Sequence, residues 1–245
     1  MPLFNNPISI EKATQLISLL DLPPNSRALD IGCGRGEFLI RVLEAYGGHG
    51  LGIDIDADSI AAANENAGRR LSAPFYEFRE GDAQSEPVTP ESFDLAVCLG
   101  STHAYGLGDT AYPNALNSLL RVLRPGGLLL VGEGYWKQPP DPEYLKLIGE
   151  PLGIYHDHAT NISFAEARGW IPLYAAVSSD DEWDHFEWSH RMRIEQQAAR
   201  HPDASSQSKL ENSRKWRDGY LRWGRATMGF GFYLLMKPAR SGTRS

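Results

Sequence analysis

The stretch Leu29-Asp30-Ile31-Gly32-Cys33-Gly34-Arg35-Gly36 decides the fold. Residues 27–33 (RALDIGC) read as a buried strand, and 36–46 as the helix that follows it. Glycines between a strand and a helix let backbone approach a ligand closely, because no Cβ stands in the way. In an open α/β sheet that ligand sits beyond the carboxyl ends of the strands. The spacing narrows the choice. A dinucleotide fingerprint, G-x-G-x-x-G, requires a small residue at position 37, where this chain has Glu37. A carboxylate there repels a pyrophosphate, although a helix N-terminus itself tolerates an acid. The turn, G-x-G-x-G, therefore favours a ligand without phosphates.

Outward from this turn, the chain alternates strand and helix. Residues 8–20 place Ile10, Ala13, Ile17 and Leu20 at helical spacing, and Asp21-Leu22-Pro23-Pro24 stops that helix. Strand 49–55, helix 57–70, strands 75–80 and 93–99, helix 109–123 and strand 128–133 follow, the last after a Pro125-Gly126-Gly127 turn. Such alternation predicts a parallel sheet with helices on both faces. The second half is less regular. Residues 134–160 read as loop with a short helix near 142–149, 161–169 as helix and 171–178 as strand. The stretch 182–225 reads as mostly helical with a break at 201–206, and 230–237 as a closing strand before a frayed tail, 238–245.

The second strand ends in Gly52-Ile53-Asp54-Ile55-Asp56. An acid at that tip can accept both hydroxyls of a ribose. The competing use of Asp54 is to cap the next helix, a task open to Asp56 or Asp58 as well.

With these residues in place, the sequence resembles the class I S-adenosylmethionine-dependent methyltransferases. LDIGCGRG resembles their first motif, GIDID the acidic second-strand motif, and Glu80-Gly81-Asp82-Ala83 the adenine-side motif. FDLAVCLGS is similar to the fourth-strand motif, and LLRVLRPGGLLLVGE to the approach to strand five. The resemblance implies a Rossmann-like α/β fold. Its seven-stranded, mostly parallel sheet has order 3-2-1-4-5-7-6, with strand seven antiparallel and a helical, aromatic cap. It implies S-adenosylmethionine as cofactor and S-adenosylhomocysteine as product. Gly32, Gly34 and Gly36 would face the methionine portion, with Asp30 near its amino group. Asp54 would hold the ribose, Ile55 would pack on adenine, and Asp82 and Ala83 would meet the adenine edge, with Leu99 and Gly100 completing the cofactor site. The segments CLGSTHAYG, GEGYWKQPP, DDEWDHFEW and the late Tyr-Leu-Arg-Trp-Gly resemble a subgroup of small bacterial methyltransferases, which implies no particular acceptor.

Composition sets the outer bounds. The 245 residues, 42% hydrophobic and 22% charged, suit one globular domain. We read 1–245 as a single domain, with a cofactor-binding core over 8–133, an acceptor cap with strand six over 134–225, and the closing strand 230–237. Lys and Arg number 24 against 31 acids, a net charge of -7, which argues against a nucleic-acid partner. The basic residues of 191–225 read as a solvated helix face. The two cysteines, Cys33 and Cys98, exclude a disulfide framework and suit a reducing cytoplasm. No apolar run is long enough for a membrane span, and MPLFNNPISIEK does not read as a signal peptide. No motif specifies an oligomeric state.

Candidate acceptor-side residues lie at the ends of the later strands. His103 is the candidate base, since imidazole titrates near neutrality; its alternative is to shape a loop. Glu133, at the tip of strand five, is placed to orient an acceptor amine or hydroxyl, or else to pair with an arginine. Tyr105, Tyr135, Trp136, Trp183, Phe186 and Trp188 are the aromatic candidates for a small-molecule acceptor pocket, because aromatics exclude water and attract cations. Trp183 and Trp188 could instead glue a helix to the sheet. His156-Asp157-His158 has weak ligand spacing, so no metal is expected. All six tryptophans fall between Trp136 and Trp223, on the acceptor side.

Three functions fit these features. The first is methyl transfer to an O, N or S atom of a small molecule. The second is an NAD(P)-dependent oxidoreductase, disfavoured by Glu37 and the glycine spacing. The third is a non-catalytic S-adenosylmethionine-binding module.

Overall fold

The computed structural model describes residues 3–201 and 203–239. The tail beyond Ala239 lies outside the described residues, as does Pro202 within the predicted helix break. Seven strands form one sheet of order β3-β2-β1-β4-β5-β7-β6. They are β1 (Arg27–Ile31), β2 (His49–Asp54), β3 (Tyr76–Glu80), β4 (Phe93–Leu99), β5 (Leu123–Trp136), β6 (Ile171–Val177) and β7 (Met228–Met236). β1 through β5 pair in parallel, and β7 runs antiparallel to both β5 and β6.

The central strands carry apolar residues on both faces, as a sheet covered on both sides requires. Ala28, Leu95, Val97, Leu130 and Phe232 enter a core shared with α1 (Ile10–Ser18), α2 (Glu37–Tyr46) and α3 (Ala57–Gly68). Leu29, Ile31, Ala96, Cys98 and Tyr233 enter the opposite core with α4 (Ala111–Val122) and α6 (His158–Glu166). The period-two alternation of strand side chains divides them in this way. Burial of Cys98, against a background of nearby acids, pushes its thiol far above the ordinary range, which suits a small core residue.

Strand five is longer than the sequence predicts. The reading 128–133 follows its apolar run, but β7 pairs with it from Leu128↔Met236 out to Trp136↔Met228. An antiparallel neighbour that continues past the end of β4 keeps the backbone extended. Tyr135 and Trp136 are therefore strand residues rather than parts of a loop.

The acidic run at 180–187 is explained locally. It opens α7 (Asp180–Arg200), whose first turn carries Asp180, Asp181 and Glu182, where the helix dipole favours acids. Ser179 and Glu182 form a reciprocal capping box. Glu182 also accepts from the backbone and hydroxyl of Ser9 and pairs with Lys12, tying the start of α7 to the start of α1. Asp184 accepts from the Tyr220 hydroxyl and pairs with Arg225.

α8 (Ala204–Gly219) packs back on α7, and the chain returns to β7 through a π-helical turn, Tyr220–Gly224. Here the solvated-face expectation fails at one position. Arg191 is 4% exposed, paired with Glu187 and donating to the Ser213 carbonyl, while the Trp216 indole also donates to Glu187. A charge so desolvated persists only when paired, and the α7–α8 hairpin supplies its partners. α5 (Pro142–Ile148) packs beside α8. Among the described residues, no helix is long and apolar enough to cross a membrane.

Candidate active site

Two adjoining cavities open at the carboxyl ends of the strands. The larger, about 780 Å³, is walled by the glycine turn after β1, the tip of β2, residues 81–84 after β3, and residues 99–104 after β4. It contains Asp30, Gly32, Gly34, Asp54, Ile55, Asp82, Ala83, Leu99 and Gly100 of the cofactor candidates.

The glycines of the turn differ in task. Gly34 has φ +51, and a Cβ built on it meets nothing within 4 Å, so its missing side chain leaves space at the cavity. Gly36 (φ +78) does not line the cavity; a Cβ there would meet the Phe78 ring at 2.7 Å. The third glycine serves the packing of α2 against β3, whereas the first two line the cavity.

Asp54 is fixed by the turn it faces. One carboxylate oxygen accepts from Gly34 N–H at 2.8 Å and the other from Asp56 N–H at 3.0 Å. A carboxylate has about four acceptor positions, so both oxygens keep capacity for a diol. Asp56, not Asp54, caps α3 by accepting from Ser59 N–H, which answers the capping alternative. Ile55 is 77% exposed at the cavity edge, an apolar surface suited to an aromatic ring. Asp82 turns Oδ1 toward Gln84 N–H at 2.9 Å. Asp30 is buried, and desolvation with Asp54 nearby pushes its carboxyl well above the usual carboxylate range. A cationic group is the natural partner for such an acid.

Glu37 also borders this cavity, but its charge is not bare. Its two oxygens accept from Arg41 and Arg70, each at 2.6 Å. The repulsion assigned to it from sequence is thus largely neutralised by Arg41, one turn on in α2, and by Arg70, just beyond α3.

The second cavity, about 520 Å³, shares Asn5, Asn6, Gly100 and His103 with the first. His103 lies at the junction, exposed, in the 3₁₀ turn Thr102–Tyr105. Glu133 lies in the second cavity, accepting from the Thr102 hydroxyl and from Gly134 N–H at 2.9 Å. Desolvation raises its carboxyl to about 7, against the pull of those two donors. A buried polar chain stands behind it. The Tyr112 hydroxyl donates to the Asn161 carbonyl, the Asn161 amide donates to the Gly134 carbonyl and the Tyr233 hydroxyl, and that hydroxyl meets His158 Nδ1 at 3.0 Å.

Of the aromatic candidates, Trp183 and Phe186 line this cavity. Four others are placed elsewhere among the described residues. Tyr105 is buried in the core under α4. Tyr135 packs on His158 and covers Gly229. Trp136 packs edge-on against Tyr144 and Tyr155 and donates to the Leu152 carbonyl, because the extended β5 turns it into the cap's own core. Trp188, one helical face away from the cavity on α7, is 44% exposed.

Residues that sequence reasoning did not single out supply the rest of the walls. Tyr155 lies against Gly134, whose absent Cβ would stand 2.5 Å from its ring. Phe230 and Met228 come from β7, Asn5 and Asn6 from the N-terminal segment, and His190 and Arg193 from α7 over the first cavity. No local pattern marks them; only the return of β7 and the Ser9–Glu182 tie bring them here.

A family model for a methyltransferase domain matches residues 28–127. The Escherichia coli protein YjhP is 28% identical over 241 residues, 95% of this chain and 93% of that one. A phosphoethanolamine N-methyltransferase of Triticum aestivum is 30% identical over 70% of this chain, which spans 33% of that enzyme's length. A crystal structure of an S-adenosylmethionine-dependent methyltransferase from Geobacter sulfurreducens, in complex with S-adenosylhomocysteine, aligns with TM-score 0.85 and 27% identity, covering 96% of this chain and 93% of that one.

Proposed function

This chain belongs to the class I S-adenosylmethionine-dependent methyltransferases, and on that premise we propose that it methylates an O, N or S atom of a small molecule bound in the second cavity. The observation that carries this reading is the junction of the two cavities at Gly100, His103 and Asn6, with a strand-end acid on each side. The first cavity fits the cofactor: open space at Gly34, acceptor capacity on Asp54, an exposed apolar Ile55 and a buried acid at Asp30. Asp30, Gly32 and Gly34 would hold its methionine end, Asp54 its ribose, and Ile55, Asp82 and Ala83 its adenine side, with Leu99 and Gly100 completing the site toward the second cavity. When bound, S-adenosylmethionine supplies a methyl group on a positively charged sulfur.

The protein's own residues then do three things. The cap, residues 134–225, together with Asn5 and Asn6, closes over the strand ends and excludes water. The walls hold the acceptor in line with the first cavity, and such positioning accounts for much of the acceleration in a displacement. Glu133, raised to about 7, takes a proton from an acceptor that must lose one. His103, at the junction, borders both ligands and is the second group able to move a proton there.

Thermal denaturation with added ligands tests the cofactor assignment. S-adenosylhomocysteine should raise the melting temperature and NADH should not; the opposite pattern would overturn the reading. Methyl label passing from S-adenosylmethionine into a metabolite extract tests catalysis. Tight cofactor binding with no label in any product would identify a binding module instead.

A further inference from the structure

Resting on that reading, we propose that the methyl acceptor is an amine carrying a positive charge in solution, and that Glu133 receives its proton. Three features of the second cavity support it. First, the acids lining it are Glu133, Glu150 and Asp109, beside the imidazoles of His103 and His156; among the described residues its lining has no lysine or arginine. A cavity of this sign raises the cost of any anion inside it. It therefore disfavours acceptors that bear a carboxylate or phosphate, and acceptors that must react as thiolate or phenolate. An ammonium group gains from the same field, and after losing its proton it is a neutral nucleophile.

Second, one buried acceptor and one buried donor here lack partners. Asn6 gives its Nδ2 to the Leu99 carbonyl, which fixes the orientation of the amide, and its Oδ1 is buried without a hydrogen-bond partner at the junction of the cavities. An N–H of the acceptor would satisfy it. The Trp183 indole N–H, buried and also unpartnered, lines the same cavity and needs an acceptor atom. A hydroxyl elsewhere on the amine supplies one without adding charge. Third, Tyr155, Trp183, Phe186 and Phe230 present aromatic walls, to which cations are attracted.

The step balances. The Glu133 carboxylate takes a proton from R–NH3⁺. The freed nitrogen lone pair forms a bond to the methyl carbon as the carbon–sulfur bond breaks, with that pair remaining on sulfur. The positive charge of the sulfonium ends on the methylated nitrogen.

Matched probes test the charge preference. The full chain, saturated with S-adenosylhomocysteine, is titrated with 2-amino-1-phenylethanol, 1-phenylethane-1,2-diol and mandelate, and with the aliphatic set 1-amino-2-butanol, butane-1,2-diol and 2-hydroxybutyrate. Thermal stabilisation and calorimetry are read. In at least one set the amine should bind about ten-fold more tightly than its diol or its acid. Glu133→Gln should remove that preference while S-adenosylhomocysteine affinity stays within about two-fold, since Glu133 does not line the cofactor cavity. Glu150→Lys, at an exposed position, should weaken the amine and admit the acid without disturbing the core. Equal or tighter binding of a diol or acid, no amine binding at millimolar concentration, or an unchanged preference in both variants would overturn the proposal. S-adenosylhomocysteine binding is measured first, so a failed cofactor reading shows itself separately.

Discussion

The Thr102 hydroxyl donates to the Glu133 carboxylate across the ends of β4 and β5, with both residues buried at the wall of the second cavity. With the Gly134 N–H, this bond offsets the burial that opposes the charge of the acid. Replacing Thr102 by Val keeps the volume and removes the donor. The Glu133 carboxyl, at about 7 in the parent, should then rise, moving the acidic limb of the rate–pH profile to higher pH. Stability at pH 8 should fall by about 1–3 kcal/mol, the cost of an under-satisfied buried acceptor. Denaturant melts and rate–pH profiles check both; an unmoved limb would remove Thr102 from the chemistry.

Glu133 also makes stability depend on pH. Its carboxyl titrates near 4.5 ordinarily and near 7 in the fold. Between those values the unfolded chain has released the proton that the folded chain retains. The folded state therefore binds more protons, and stability falls as pH rises through this window, then levels off. The groups around it, Cys98, Tyr112, Tyr155 and Tyr233, are all raised by burial, so they stay protonated across the window. The loss is on the order of 3 kcal/mol at most. Glu133→Gln should flatten that part of the slope and be more stable than the parent at pH 8. A Gln variant with the parent's slope would assign the dependence to another acid, such as Asp30.

Asp54→Ala should weaken S-adenosylhomocysteine binding by about 1.5–3 kcal/mol, the scale of hydrogen bonds to a charged group. Because Asp54 also accepts from Gly34 N–H, part of that loss will come from a loosened glycine turn. Calorimetry with S-adenosylhomocysteine and with its ribose-free fragment homocysteine separates the parts. An unchanged affinity would show that the ribose assignment is wrong.

Gly34→Ala and Gly36→Ala should fail differently. At 34 the new methyl enters open space at the cavity, with backbone strain of about 1 kcal/mol, so cofactor affinity should drop more than stability. At 36 the methyl meets the Phe78 ring, so stability should drop first. Melting temperatures and cofactor titrations of both variants decide. A reversed pattern would mean that the third glycine, not the second, faces the ligand.

His103→Ala should lower turnover more than cofactor affinity if the imidazole handles a proton at the junction. Equal losses of both, measured by single-turnover rates and calorimetry, would give His103 a purely architectural role.

Much of the first half was legible because its signals are local. A glycine turn, an acid at a strand tip and alternating apolar runs each act within about ten residues, and they carried the topology and most of the walls of the first cavity. Gly36 and Glu37 were the exceptions, since their neighbours Phe78 and Arg70 lie a strand or a helix away. On the acceptor side the sequence offered composition, not position. It placed Tyr135 and Trp136 in a loop, and long-range pairing with β7 put them in a strand.

By itself, then, the sequence determined the sheet and the identity of the acids at the strand tips. Only the tertiary structure decided which aromatics wall the second cavity, that Asn6 and α7 border it, and that Glu133 sits desolvated beside Thr102. The reason is physical. Secondary structure and strand-end placement follow from periodicity along the chain. Burial, and with it the charge state of Glu133, follows from segments tens to more than a hundred residues apart folding onto one another.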